Sequence, residues 1–247
     1  MKNLVSNTFS AIAFSCALSA NAGLIDFELT HNGLVPTDNA EIALNDTFNV
    51  DGVAVRFGFD SDYDGVLDTT AVFEEVGNND TGGDTGYKTK GGPADFAMPG
   101  FESQMGRFFL RQSNPYQAFG IFTILYDANN PVTAASGEIW DIDGGKKTEQ
   151  FQVKAFNGSA LLASVMSPLG NDKTLDGKPW TFGFSGLSNI TKIEITFTGT
   201  KTQGIGLAFN NFSPVMDISQ TASIPEPSVL ALMLLSVGGL LVTRRAG

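Results

Sequence analysis

The chain has 247 residues with 15 Lys and Arg against 26 Asp and Glu, and its formal net charge is −11. This acidic balance argues against nucleic acid as a partner, because neutralising phosphates requires clustered Lys and Arg. One Cys and one His exclude a Cys/His zinc site and a disulfide framework.

Residues 1–22 have the pattern of a secretory signal peptide. Lys2 supplies a positive charge, and residues 9–18 (FSAIAFSCAL) form a short apolar stretch. Ala20 and Ala22 provide a small-residue cleavage site before Gly23. A membrane anchor is the alternative, but the apolar stretch is short for a transmembrane span. We therefore expect an exported chain that begins at Gly23.

Residues 23–217 are predicted to form one all-β domain, a two-sheet sandwich with jelly-roll-like character. Apolar residues alternate with polar or small ones in the stretches 53–59, 151–155, 180–184 and 193–197. Turn dipeptides such as Asp51-Gly52 and Asn157-Gly158 separate the predicted strands. Half-buried strands joined by tight turns favour two packed sheets. Most of the 20 Phe residues are then expected between the sheets.

A run of alternating carboxylates, D-S-D-Y-D-G-V-L-D, follows the first of these stretches. The candidate calcium ligands are Asp60, Asp62, Asp64, the main-chain carbonyl of Val66, and Asp68. The Gly at the sixth position permits a sharp turn. The run resembles the calcium loops of EF-hands and dockerin-like repeats, but Ala71 stands where those loops carry a bidentate acid. The alternative is an acidic, solvated hairpin loop.

A second acidic segment, residues 138–143 (EIWDID), resembles the E-I-D-x-x-E strand of jelly-roll β-glucanases. On a strand, Glu138 shares its face with Trp140 and Ile142. Trp140 occupies the position where the glucanases need an acid, so paired-carboxylate hydrolysis is disfavoured. We expect Trp140 and Trp180 in the core, with stacking on sugar rings as the alternative.

The C-terminal end has three parts in a fixed order. They are Pro225-Glu226-Pro227 within a linker at 218–228, an apolar run at 229–242, and the pair Arg244 and Arg245. Residues 224–243 are long enough for one membrane-spanning helix, and the two Arg residues favour a cytoplasmic location for its end. Residues 229–247 are therefore predicted to be a transmembrane helix with a basic tail.

These three parts resemble the PEP-CTERM sorting signal of exported bacterial proteins. The resemblance implies that an exosortase-type membrane protease recognises the tail and that the helix holds the chain in the inner membrane only transiently. Residues 106–111, 135–143, 176–182 and 206–212 also resemble uncharacterised PEP-CTERM ectodomains. The chain is thus expected at the cell surface or in the exopolysaccharide matrix.

We expect a structural or adhesive role without catalytic turnover, with calcium stabilising the loop at 60–68. The alternative is a carbohydrate-binding module for the cell's own exopolysaccharide. A glycoside hydrolase is a third and less favoured hypothesis, because the carboxylate pair it needs is incomplete in the sequence.

Overall fold

The computed structural model describes residues 23–77, 97–113, 120–127, 132–142, 146–170, 175–202, 205 and 207–216. The expected signal peptide, linker and C-terminal helix lie outside these ranges, and those expectations stay predictions. Among the described residues, no helix is both long and apolar enough to cross a membrane.

The described residues form twelve strands and one short helix, α1 (Glu102–Met105). The strands are β1 (Glu41–Ile42), β2 (Phe48–Val50), β3 (Val53–Asp60), β4 (Ala71–Glu75), β5 (Phe108–Gln112), β6 (Ile121–Tyr126), β7 (Val132–Trp140), β8 (Phe151–Asn157), β9 (Ala160–Met166), β10 (Pro179–Phe184), β11 (Lys192–Phe197) and β12 (Ala208–Met216).

The strands make two six-stranded antiparallel sheets, which confirms the all-β, two-sheet prediction. The first sheet has the order β1-β4-β5-β12-β7-β10, and the second has the order β2-β3-β6-β11-β8-β9. The chain passes repeatedly from one sheet to the other, so strands distant in sequence become neighbours. The last strand, β12, lies between β5 and β7 in the middle of the first sheet.

Strand β3 shows how the alternating pattern produces this fold. Val53, Val55, Phe57 and Phe59 are buried in the core, as period-two alternation predicts. The β2–β3 hairpin turns at Asp51-Gly52, where both φ angles are positive, +48° and +82°. A two-residue turn with two positive φ angles matches the twist of the flanking strands, which explains the Asp-Gly sequence.

Phenylalanine rings fill the space between the sheets, as the composition predicts. Phe209 of the first sheet and Phe122 of the second have ring centroids 5.0 Å apart. Phe57 and Phe182 pack around Phe209 at 6.2 and 6.4 Å. All four side chains are fully or almost fully buried, so they serve as core and are not available to a ligand.

A second, smaller cluster lies on the outer face of the first sheet and corrects one sequence prediction. Trp140 is buried, as predicted, but it packs with Met105 and Phe109 outside the main core. Ile142 lies in the main core, so the predicted shared face of Glu138, Trp140 and Ile142 is wrong at its last member. Asp141 has φ +61°, and this irregularity changes the alternation at the strand end.

The other tryptophan, Trp180, is only half-buried. Its ring packs against the main core, 6.1 Å from the ring of Phe182. The prediction of burial is therefore met in part.

One ion pair is buried on the outer face of the first sheet. Arg111 Nε donates to Glu74 Oε2 at 2.5 Å, and both side chains are less than a tenth exposed. Arg111 also donates to the side chain of Asn39 and, at 2.8 Å, to the carbonyl of Gln112. The pair joins β4 and β5 and satisfies charges that burial would otherwise penalise.

The beginning of the described chain pairs with its last strand. Ile25 and Phe212 form an antiparallel bridge with backbone hydrogen bonds of 2.8 and 2.9 Å. Ser213 Oγ donates to the carbonyl of Gly23 at 3.0 Å. The segment after Gly23 is therefore anchored to the first sheet.

Candidate functional site

The acidic loop at residues 60–68 is closed by main-chain bonds at its base. Phe59 N–H donates to the Thr69 carbonyl at 2.8 Å, and Asp68 N–H donates to the Phe59 carbonyl at 2.9 Å. The sequence turns sharply at Gly65, whose φ is +89°, a value that favours glycine. The loop thus leaves and re-enters the sandwich at one place.

Three of the predicted ligands converge in this loop. Carboxylate oxygens of Asp60, Asp62 and Asp68 lie within 4.8 Å of one another. Calcium binds oxygens at about 2.3–2.6 Å, so one ion could contact oxygens on opposite sides of such a cluster. Asp60 is 4% exposed, whereas Asp62 and Asp68 are exposed.

The other two predicted ligands are Asp64 and the main-chain carbonyl of Val66. Asp64 is not part of this cluster, and its Oδ1 accepts a hydrogen bond from Val66 N–H at 2.8 Å. The side chain of Val66 is exposed, and its carbonyl stays a predicted ligand.

The clustered carboxylates already accept hydrogen bonds from the loop. Asp60 accepts from the N–H groups of Asp64 and Gly65, at 3.1 and 2.9 Å. Asp68 accepts from Ser61 N–H and Oγ, at 3.1 and 2.9 Å. Desolvation is the largest single influence on the pKa of Asp68 and raises it, but hydrogen bonds led by those from Thr69 and Ser61 together lower that pKa below 3.8.

A groove of about 440 Å³ lies on the outer face of the first sheet. Its walls come from three parts of the chain: the segment after Gly23, helix α1, and strands β7, β10 and β12. The polar residues that line it include Asp26, Glu28, Gln104, Glu138, Thr181 and Asn211. Among the described residues, none that lines the groove is a lysine, an arginine or an aromatic residue.

Glu138 is the most enclosed carboxylate of the groove, at 8% exposed. Its Oε1 accepts from Gln104 Nε2 at 2.6 Å, and its Oε2 accepts from Asn211 Nδ2 at 2.8 Å and Trp140 Nε1 at 3.1 Å. Three neutral donors thus satisfy the oxygens of the buried Glu138 carboxylate. These bonds also fasten α1 to β7 and β12.

Asn211 reaches the groove because β12 contains a bulge. The register to β7 passes from Asn210 opposite Glu138 to Ser213 opposite Ser136, which inserts one extra residue. Asn211 takes the left-handed conformation with φ +51°, and its Nδ2 also donates to the Gln104 carbonyl at 2.7 Å. The bulge therefore directs two consecutive Asn side chains outward, and Phe212 still enters the core.

The remaining wall contains two acids, Asp26 and Glu28, whose proximity to Glu138 was not predicted from the sequence. Glu28 Oε1 accepts from the N–H groups of Arg107 and Phe108, at 2.5 and 3.2 Å. Gly106, at φ +70°, leaves room for this carboxylate, since a Cβ there would lie 2.3 Å from it. In the sequence, only Gly106 could have indicated a close approach of another group at this point. The pairing of Ile25 with Phe212, which brings Glu28 here, is not visible in the sequence.

The sorting residues Pro225, Glu226, Pro227, Arg244 and Arg245 lie outside the described part of the chain, as do Ala20 and Ala22. Gly23 is the first described residue, and its N–H donates to Asp51 Oδ2 at 2.5 Å.

Comparison with known proteins gives little further information. No family model matches the chain, and no curated protein matches it. A crystal structure of a DUF4465 family protein from Bacteroides caccae is similar with a TM-score of 0.40 and 10% sequence identity. The similarity covers 84% of this chain and 99% of that one. Similarity at this level shows neither a shared family nor a shared function.

Proposed function

We propose that this chain is an exported, exosortase-processed protein with a structural or adhesive role at the cell surface or in the exopolysaccharide matrix. The signal-peptide pattern at 1–22 and the sorting-signal pattern at 218–247 support export and processing. The two-sheet sandwich with its filled core supports a stable extracellular module. The proposed role involves no catalytic turnover.

The calcium part of the proposal rests on one geometric observation, the convergence of Asp60, Asp62 and Asp68 at one end of β3. We propose that calcium binds these carboxylates and holds the loop to the sandwich. Asp64 and the Val66 carbonyl stay further candidate ligands in the same loop. Millimolar affinity suffices for an extracellular structural site.

A calcium titration of residues 23–217 tests the metal proposal. At a calcium concentration ten times Kd, binding to the folded state stabilises it by about 1.4 kcal/mol. For a domain of this size, that is a rise in Tm of roughly 3–6 °C. The double variant Asp62→Asn with Asp68→Asn should lose both the heat of binding and the shift in Tm.

The matched control exchanges two exposed acids elsewhere, Glu41→Gln with Glu102→Gln, and should keep the calcium response. If the unmodified chain gives neither heat nor a Tm shift at about 10 mM calcium, the loop is only a solvated acidic turn.

Fractionation of the full chain tests the sorting proposal separately. In a Gram-negative host that has an exosortase, the chain should leave the membrane fraction. Glu226→Ala should keep it there, because the recognised motif is lost. The same distribution for both chains would refute exosortase processing and would leave the calcium result unaffected.

The groove is the basis of a second proposal, binding of a neutral saccharide through hydrogen bonds without aromatic stacking. Its volume lies within the range of small-ligand sites, about 300–1,000 Å³, and it presents amide, hydroxyl and carboxylate groups together. Gln104→Ala should weaken binding of fragments of the cell's own exopolysaccharide, and Glu102→Ala on the same short helix should not. Release of reducing ends in this assay would favour the hydrolase hypothesis.

A further inference from the structure

In the part of the chain that the structure describes, the sandwich has four edge strands, and they differ in how well they are protected from pairing with another strand. In the first sheet, β1 has two residues and β10 begins with Pro179, and in the second sheet β2 has three residues. Very short edges and edge prolines discourage pairing. The fourth edge, β9, has seven residues (ALLASVM) with neither a charge nor a proline. Its pairing with β8 has one register shift, from Ala163 opposite Ala155 to Leu161 opposite Phe156, and residues 163–166 beyond it pair regularly. It is therefore the exposed edge best suited to accept another strand.

The hydrogen-bond pattern shows which groups β9 directs outward. Ser167 N–H donates to the Phe151 carbonyl at 2.9 Å, and the register continues with Val165 opposite Val153. In an antiparallel pair, alternate residues direct their N–H and C=O groups to the neighbouring strand. Ser164 and Met166 therefore direct theirs away from β8. Within the described part of the chain, β9 pairs with β8 alone.

The side chains of β9 are also suited to an interface. Leu161 is 55% exposed and Met166 is 45% exposed, and Leu169 just beyond the strand is 49% exposed. The chain as a whole has a net charge of −11, which makes copies repel one another. At β9, two copies can approach without a carboxylate on either facing strand.

We propose that β9 pairs antiparallel with β9 of a second copy of this chain. A two-fold axis places the same outward N–H and C=O groups opposite each other, so both strands are satisfied by one contact. The other edge strands are shorter or carry a proline. The strand that best matches β9 in length and in lack of charge is therefore β9 of a second copy. The two second sheets then form one continuous sheet of twelve strands.

The expected dimer is weak. Pairing of one seven-residue strand buries less than the roughly 1,200 Å² of a stable interface. Such a contact is populated at high local concentration, as in a matrix. This inference goes beyond the proposed role and does not depend on calcium or on saccharide binding.

Sedimentation velocity of residues 23–217 from roughly 10 µM to 1 mM tests the proposal, since these residues contain the whole sandwich and its core. We expect a monomer–dimer equilibrium that shifts toward dimer as salt rises, because salt screens the repulsion between acidic copies. A monomer at every concentration would overturn the proposal. Continued growth beyond dimers would also overturn it, because a two-fold contact closes at two copies.

Two variants locate the contact at β9. Ser164→Pro removes an outward N–H and no main-chain bond to β8, although it also removes the 3.1 Å hydrogen bond that Gln152 Nε2 donates to Ser164 Oγ. Leu161→Lys adds a charge to the exposed edge. Each should weaken dimerisation at least tenfold. Leu161→Lys should leave Tm nearly unchanged, and Ser164→Pro should lower it slightly because one exposed side-chain bond is lost. Leu34→Lys, at a loop leucine that is 63% exposed, is the matched control and should dimerise normally. Dimerisation that survives Leu161→Lys in a folded chain would refute pairing through β9.

Discussion

Replacing Asn211 by Ala and by Gly separates the two contributions of the β12 bulge. Asn211→Ala removes a hydrogen bond to a carbonyl, worth about 1 kcal/mol, and one to the Glu138 carboxylate, worth about 1.5–3 kcal/mol. At φ +51°, alanine adds backbone strain of about 1–2 kcal/mol. We expect a total loss in the free energy of unfolding of about 3–6 kcal/mol from these terms.

Asn211→Gly removes the same hydrogen bonds but relieves the strain. It should therefore be more stable than Asn211→Ala by about 1 kcal/mol, which corresponds to roughly 2–4 °C in Tm for this size of domain. Urea and thermal unfolding of the two variants measure the difference. At an ordinary strand position, replacing alanine by glycine lowers protein stability. If Asn211→Ala is as stable as Asn211→Gly or more stable, residue 211 does not have the left-handed conformation.

Three further predictions concern buried and acidic groups. Glu74→Gln should lower the free energy of unfolding by about 3 kcal/mol, because it removes the carboxylate that pairs with the buried guanidinium of Arg111; a loss below about 1 kcal/mol in urea unfolding would contradict this. The lowered pKa of Asp68 stabilises the fold above pH 3.8, and this contribution disappears as the pH falls through the folded-state pKa. In calcium-free buffer the unmodified chain should therefore be more stable than Asp68→Asn at neutral pH and equally stable in acid. If the difference persists in acid, the charge of Asp68 is not its source. Burial raises the pKa of Tyr126 well above 10, so the unmodified chain should lose stability above pH 10 and Tyr126→Phe should not. At neutral pH, Tyr126→Phe should cost nothing, since no described group bonds the buried hydroxyl.

Local alternation was enough to predict the strands and much of the core. Val53, Val55, Phe57 and Phe59 follow period two and are buried as predicted, because each strand has one face on the core. The Asp51-Gly52 turn was also predictable, since its conformation depends on two adjacent residues. These features need no knowledge of distant parts of the chain.

The groove could not be predicted, because it is assembled by long-range pairing. Asn211 and Glu138 are 73 residues apart, and Gln104 is 34 residues from Glu138. The bulge that orients Asn211 is a one-residue change in register, which appears only when β12 is paired with β7. For the same reason, Trp140 could be predicted as buried but not as belonging to a second cluster.

The loop at 60–68 was predictable in composition but not in detail. The spacing of its acids indicated convergence, and three of them converge. Asp64 accepts a hydrogen bond from Val66 N–H, and local bonds of this kind between a side chain and the backbone are not apparent from the spacing of the acids.

The bond between Ser213 and Gly23 spans 190 positions of the chain, and this has a consequence for the order of folding. The first sheet is incomplete until β12 has been synthesised and inserted between β5 and β7, so contacts between distant residues should limit the folding rate. A circular permutant that joins residues 216 and 23 by a short linker and opens the chain at Gly158 makes this closure local. It should fold faster in stopped-flow refolding, and an unchanged rate would show that another pairing limits folding.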